Sequence, residues 1–116
     1  MARLDDGARA EQLAADYLQR HGLTLVERNY RCRAGELDLI LRDGATLVFA
    51  EVRLRKNGAF GGAAASITER KQHKLRLAAR HYLQTLAAEP PCRFDALLLD
   101  RLDENAVEWI KNIISG

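Results

Sequence analysis

Three carboxylates stand where strands rarely accept them: Glu36 and Asp38 in the run Gly35 to Leu41, and Glu51 in the run Thr46 to Arg53. Both runs are otherwise apolar and alternating, and strands normally shed Asp and Glu. An Asp and a Glu brought together beside a cation make a hard-oxygen site suited to Mg²⁺ or Mn²⁺. Such an ion polarises a phosphodiester and lowers the pKa of a nearby water, while a cation such as Arg53 steadies the charge that builds in the transition state. The plain alternative is that Asp38 and Glu51 only form ion pairs with Arg28, Arg53 or Arg55. Residue types and spacing weigh the two readings evenly.

The element that must position these acids is a hairpin. Arg42-Asp43-Gly44-Ala45 separates the two runs, and Asp-Gly between alternating segments is a strong hairpin signal. With Asp43-Gly44 as a two-residue loop, Glu36 faces Glu51 and Asp38 faces Phe49. Lengthening the loop by two sets Asp38 opposite Glu51. Either register sends Glu36, Asp38, Glu51 and Arg53 to one face, leaving Leu37, Leu39, Leu41, Val48, Ala50, Val52 and Leu54 on the other. A bulge would break that parity.

The remaining elements follow from periodicity. Gly7 to His21 reads as an amphipathic helix with Ala8, Leu13, Ala14, Tyr17 and Leu18 inward, Asp5 or Asp6 as cap and Gly22 as stop. Glu11 lies near the edge of that stripe, and periodicity alone favours a solvated side chain there. Leu23 to Tyr30 reads as an edge strand leading into Arg28, Arg31 and Arg33. Those arginines suit phosphates or simply keep an edge soluble. Arg55 to Gly62 has loop composition without a phosphate-loop pattern, and its Phe60 reads either as an anchor packing back on the domain, the favoured reading, or as an aromatic offered to a base. Ser66 and Glu69 form a capping box for a helix running to about Ala88, with Leu75, Ala78, Ala79, Tyr82 and Leu86 buried. Cys92 to Asp100 reads as a strand buried on both faces, and Ala106 to Ile114 as a last strand or short helix. The expected class is α/β, a mixed central sheet flanked by helices in the order α-β-β-β-α-β-β.

A chain of 116 residues with 47% hydrophobic and 29% charged composition fits one domain, residues 1–116, and excludes a disordered polymer. Net charge is +2, but its distribution is uneven. Between Arg53 and Arg80, eight Arg or Lys stand against the single acid Glu69, a basic block suited to a nucleic-acid backbone. Two distant cysteines, Cys32 and Cys92, suggest neither a disulfide framework nor zinc. Without a signal-like or membrane-spanning run, a soluble cytoplasmic protein is expected.

The motifs Gly-Glu-Leu-Asp-Leu-Ile, Phe-Ala-Glu-Val-Arg-Leu-Arg and Ile-Thr-Glu-Arg-Lys-Gln-His-Lys-Leu, in that order, resemble the YraN-like family of small bacterial proteins. Glu11, the Arg28-Asn29-Tyr30-Arg31 run and Phe94-Asp95 extend the resemblance over nearly the whole chain. That family is placed in the restriction-endonuclease-like superfamily and is similar to archaeal Holliday-junction resolvases, whose Asp…Glu-x-Lys core holds magnesium. The resemblance implies a restriction-endonuclease-like three-layer fold, Asp38 and Glu51 as metal carboxylates, and Glu11 as a helper from the first helix. It also exposes one departure, because Arg53 stands where the pattern has Lys. Lysine can lose its proton and serve or orient a base, whereas arginine stays charged.

The leading expectation is a nucleic-acid-binding protein of nuclease fold, a Mg²⁺- or Mn²⁺-dependent endonuclease on branched or single-stranded DNA. Asp38 and Glu51 hold the ion in this reading, Arg53 stabilises charge, and Arg28, Arg31, Arg55, Lys71 and Lys74 contact phosphate. The alternative is a non-catalytic nucleic-acid-binding or adaptor module that keeps the fold with Arg53 in place of Lys. A third class is a protein-interaction domain whose basic face meets an acidic partner. The sequence leaves the oligomeric state open, a homodimer included.

Overall fold

Local signals build the two helices, and each buries a narrow apolar stripe. The structure, a computed structural model, describes residues 5–55 and 67–114. Helix α1 spans Asp6–Arg20, and the Asp5 carboxylate caps it by accepting from Ala8 N at 2.7 Å. It stops at Gly22, whose φ of +93° lets the Leu23 amide turn back onto Leu18 O at 3.1 Å. Helix α2 spans Glu69–Leu83 and ends before the expected Ala88, with Gln84 as its C-cap.

The cap of α2 also differs from the expected one. Thr68, not Ser66, occupies it, and its hydroxyl accepts from Lys71 N at 3.2 Å. Capping depends on which oxygen reaches the amide two or three residues on, and Thr68 is the residue that does so here. Replacing Thr68 with Ala is expected to lower stability by about 1 kcal/mol, measurable by urea unfolding. A change within about 0.3 kcal/mol would show that the cap contributes nothing. Ser66 and the Lys56 to Gly62 segment with Phe60 lie outside the described residues.

Five strands form one sheet in sequential order: β1 Thr24–Cys32, β2 Gly35–Asp43, β3 Thr46–Leu54, β4 Cys92–Leu99 and β5 Val107–Ile110. β1, β2 and β3 pair antiparallel, β3 and β4 pair parallel across the α2 connection, and β5 returns antiparallel to β4. The mixed α/β order is the expected one. Its last element is a strand, preceded by a 3₁₀ turn at Glu104–Ala106.

Each face of the sheet carries one helix. Ala14, Ala15 and Leu18 of α1 pack on Leu39, Leu41, Val48, Ala50 and Leu97. Leu75, Ala78, Ala79 and Tyr82 of α2 pack on Leu37, Ile40, Leu47 and Phe49. The expected division of the hairpin into one apolar face and one charged face is therefore corrected, because both faces are core and the acids collect only at one end. Within α1, Ala10 and Ala15 are fully buried, while Ala8 and Leu13 are half-buried.

The hairpin register pairs Leu39 with Ala50 and Asp43 with Thr46, around a turn at Gly44 and Ala45. Extended by one position, this register aligns Asp38 with Glu51. The ladder stops at Leu39 and Ala50, however, and from there β2 stays with β1 while β3 stays with β4. Leu37 packs with Ile40, and Leu39 with Leu41, so the side-chain alternation of β2 slips at Asp38. That slip overturns the parity expected for Leu37. It leaves Asp38 where the two strands part.

Candidate functional site

Where β2 and β3 separate, the Asp38 carboxylate replaces the missing ladder bond. Its Oδ2 accepts from Val52 N at 2.9 Å, which ties the acid to the strand carrying Glu51 and Arg53. Burial pushes the Asp38 carboxyl above its ordinary value, against the pull of the Val52 N–H. Opposite Asp38 in the β1 register lies Asn29, in the left-handed region at φ +51°. With its nitrogen turned toward the acids, the Asn29 carboxamide donates to Glu11 at 3.0 Å and Glu36 at 3.1 Å.

Two overlapping groups of acids result, and both contain Asp38. In the first, one oxygen each from Glu11, Glu36 and Asp38 lies within 4.8 Å of the others. Glu11 reaches this cluster from α1, half-buried, and its carboxyl is raised by burial and then by Asp38 and Glu36. In the second, Asp38 and Glu51 feel each other's charge across the strand gap. Glu51 is only 5% exposed, and its carboxyl is pushed up to about 7 by burial and by Asp38, although Lys71 and Arg53 pull it down.

The cations around Glu51 come from two elements. Lys71 Nζ of α2 lies 3.3 Å from Glu51 Oε1, and Arg53 Nε of β3 lies 3.5 Å from the same oxygen. The Arg53 contact is attraction without a hydrogen bond, since Arg53 Nε is buried and has no acceptor among the described residues. Glu51 Oε2 is buried and likewise has no hydrogen-bond partner among the described residues. A carboxylate oxygen left without a donor is expensive, so this one has unused capacity for a cation.

The other residues expected at the site lie at its border or apart from it. Arg28 is exposed and donates to Gln12 Oε1 on α1 at 2.7 Å. Arg31 is exposed and pairs with Glu36 at 3.3 Å, so it borders the acidic cluster. Arg55 is largely buried and meets Asp100 at 2.8 Å and Glu108 at 3.5 Å, which already offset its charge. Lys74 is exposed on α2 beside the β2 start, where a Cβ added at Gly35 would lie 3.8 Å from its own.

Sequence reasoning did not assign Asn29 or Asp95 a place. Asn29 carried a signal, being a poor strand former inside β1. Asp95 carried the same signal in β4, and it is fully buried. Its carboxylate accepts from Arg93 Nε at 3.1 Å, Trp109 Nε1 at 3.0 Å and Asn112 N at 3.1 Å. It joins β4 to β5 and to the segment beyond, a structural task.

A five-stranded mixed sheet between two helices, with acids from three elements gathered where two strands part, defines an α/β protein with one charged candidate site. The chain belongs to the UPF0102 family: its residues 10–99 match the family described as "Uncharacterised protein family UPF0102". A UPF0102 protein of Nitrosomonas europaea is 58% identical over 106 residues, covering 91% of this chain and 90% of that protein. A second, from Methylobacillus flagellatus, is 52% identical over 110 residues, covering 95% and 96%. Among the described residues, no helix is long and apolar enough to cross a membrane.

Proposed function

We propose that this is a nucleic-acid-binding protein of restriction-endonuclease-like fold, acting as a Mg²⁺- or Mn²⁺-dependent endonuclease on branched or single-stranded DNA. The observation that carries the reading is Glu51, a 5%-exposed carboxylate with one oxygen unpartnered among the described residues and with the Asp38 charge beside it. A purely structural acid would be expected to use both oxygens. The donor set fits a hard divalent cation, because Asp38 and Glu51 offer only carboxylate oxygens. Glu11 and Glu36 add further oxygen ligands on the other side of Asp38. An ion held there supplies Lewis-acid polarisation of a phosphoryl oxygen.

The chain's own residues do the remainder. The Val52 N–H orients Asp38, and Lys71 and Arg53 hold Glu51 toward its ionised form. Arg53 stabilises negative charge on the phosphoryl group but does not take a proton at accessible pH. That limit favours the second reading, a module that binds nucleic acid without cutting it.

A cleavage screen with Mn²⁺ across single-stranded, duplex and branched DNA and RNA separates the two. Cleavage is expected to fall roughly 100-fold or more in Asp38→Asn and in Glu51→Gln, and to rise in Arg53→Lys. If wild type and Arg53→Lys cut no form of DNA or RNA, the catalytic reading fails. Binding that weakens steeply with salt would then support the non-catalytic one.

A further inference from the structure

A groove of about 620 Å³ lies on the α2 face of the sheet, at the opposite end from Glu51. It is bounded by Arg76, Arg80 and Leu83 of α2, by Cys92 and Phe94 at the start of β4, and by Ile114. The parallel register sets the separation: Cys92 pairs with Leu47, near the start of β3, and Phe94 with Phe49 in its middle, whereas Glu51 and Arg53 lie further toward its other end. Helix α2 spans the interval, with Lys71 at the acids and Arg80 at the groove. Nine residues of α-helix cover about 14 Å, a span of more than one nucleotide.

The chemistry of the groove calls for a flat apolar body bearing negative charge. Phe94 is half-buried, with its ring 5.3 Å from that of Phe49 in a tilted arrangement, and Leu83 and Ile114 extend the apolar floor. Arg80 is exposed at the rim and has no ion-pair partner among the described residues. Among the described residues Glu89 is the one acid along the wall; the charge of Arg93 is already met by Asp95 and Asp43. Between Arg70 and His81 the exposed side of α2 carries Arg70, His73, Lys74, Arg76 and Arg80 and no acid.

We infer that this groove binds one unpaired nucleotide of a single strand, its base on Phe94 and its phosphate on Arg80, while the strand runs along α2 toward Glu51. Base stacking on an aromatic ring and a cation at the phosphate are what sequence-tolerant single-strand sites use. A base held in a duplex stack cannot enter, so the groove selects unpaired DNA. The inference rests on the nucleic-acid part of the proposed function and is independent of cleavage.

Cys92 provides the test, because its thiol lines the groove. Burial and Glu89 push that thiol above its ordinary pKa, so alkylation is run at mildly alkaline pH. The full chain, in chelator, is alkylated with and without a saturating deoxyoligonucleotide of roughly eight residues, a length within single-strand site sizes. Peptide mass mapping separates Cys92 from Cys32. Cys92 alkylation is expected to slow about tenfold with the single strand and to stay unchanged with duplex of the same sequence. Arg80→Glu, an exposed change, is expected to weaken single-strand affinity about tenfold, and Phe94→Leu, which keeps apolar packing, by a similar factor, near the value of one stacked base. Undiminished alkylation at saturation, or unchanged affinity in Arg80→Glu, overturns the groove while leaving nucleic-acid binding intact. Absence of any oligonucleotide or duplex binding overturns both.

Discussion

Asp95→Ala is expected to lower the stability of the folded chain by about 3–5 kcal/mol, the range for breaking a buried ion pair from one side. The carboxylate is fully buried and answers three donors on three stretches of chain: the Arg93 guanidinium, the Trp109 indole and the Asn112 amide. Alanine would leave those donors unmet and remove one of the two acids that balance Arg93. Asp95→Asn keeps the size and part of the bonding, so a smaller loss is expected. Urea unfolding of both variants beside wild type measures this. A loss under about 1 kcal/mol for Asp95→Ala would mean that water or a shifted side chain replaces the carboxylate. The circular dichroism of the folded baseline should remain wild-type, because the two helices pack on β2, β3 and β4 through residues other than Asp95.

Much of this architecture is legible in the sequence because helices and hairpins are written locally. The caps and stops of α1 and the apolar stripe of α2 follow from residues within a few positions of one another. The turn between β2 and β3 could be located from Asp43 and Gly44, but its register could not be fixed, since two loops satisfy the same alternation. What sets the register is burial on both faces, with Ile40 and Phe49 fitting α2 while Leu39 and Val48 fit α1. Alternation alone also misses the slip at Asp38, because nothing adjacent in sequence announces where β2 and β3 part. The same limit applies to Lys71. Its place beside Glu51 depends on how α2 crosses the sheet, and sequence reasoning set it among phosphate contacts instead. Family resemblance singled out Asp38, Glu51 and Glu11, and the fold brings Asp38 within reach of each of the other two groups of charges. Asp95 shows the opposite failure, an acid in an apolar strand whose partners lie 14 and 17 residues downstream.

Glu51→Gln is expected to stabilise the protein at pH 8 by up to roughly 3 kcal/mol and to change it little at pH 4.5. The sign follows from the direction of the shift. Glu51 titrates near 7 in the folded protein and at its ordinary 4.5 when unfolded, so the folded state holds this proton more tightly. Below pH 4.5 both states are protonated and the group is neutral toward folding. From 4.5 to about 7 the unfolded chain has released the proton and the folded one has not, so stability falls as pH rises. Above 7 the full cost of a buried carboxylate with one unmet oxygen is present, reduced but not cancelled by Lys71 and Arg53. Asp38, also raised, adds a loss of the same sign. Glutamine mimics the protonated acid and removes the Glu51 part of that slope. Denaturant unfolding of wild type and Glu51→Gln at pH 4.5, 6 and 8 measures the difference, and a gap that does not widen with pH would overturn the assignment. Mg²⁺ or Mn²⁺ should work against the same cost, because a cation binds the ionised acids and stabilises the state that carries them. Wild type is therefore expected to gain stability with Mn²⁺ at pH 8, by about 2.7 kcal/mol at a concentration one hundred times the dissociation constant. The gain should shrink at pH 5 and be much reduced in Glu51→Gln. An equal gain in both proteins would place the ion elsewhere and separate the buried charge of Glu51 from metal binding.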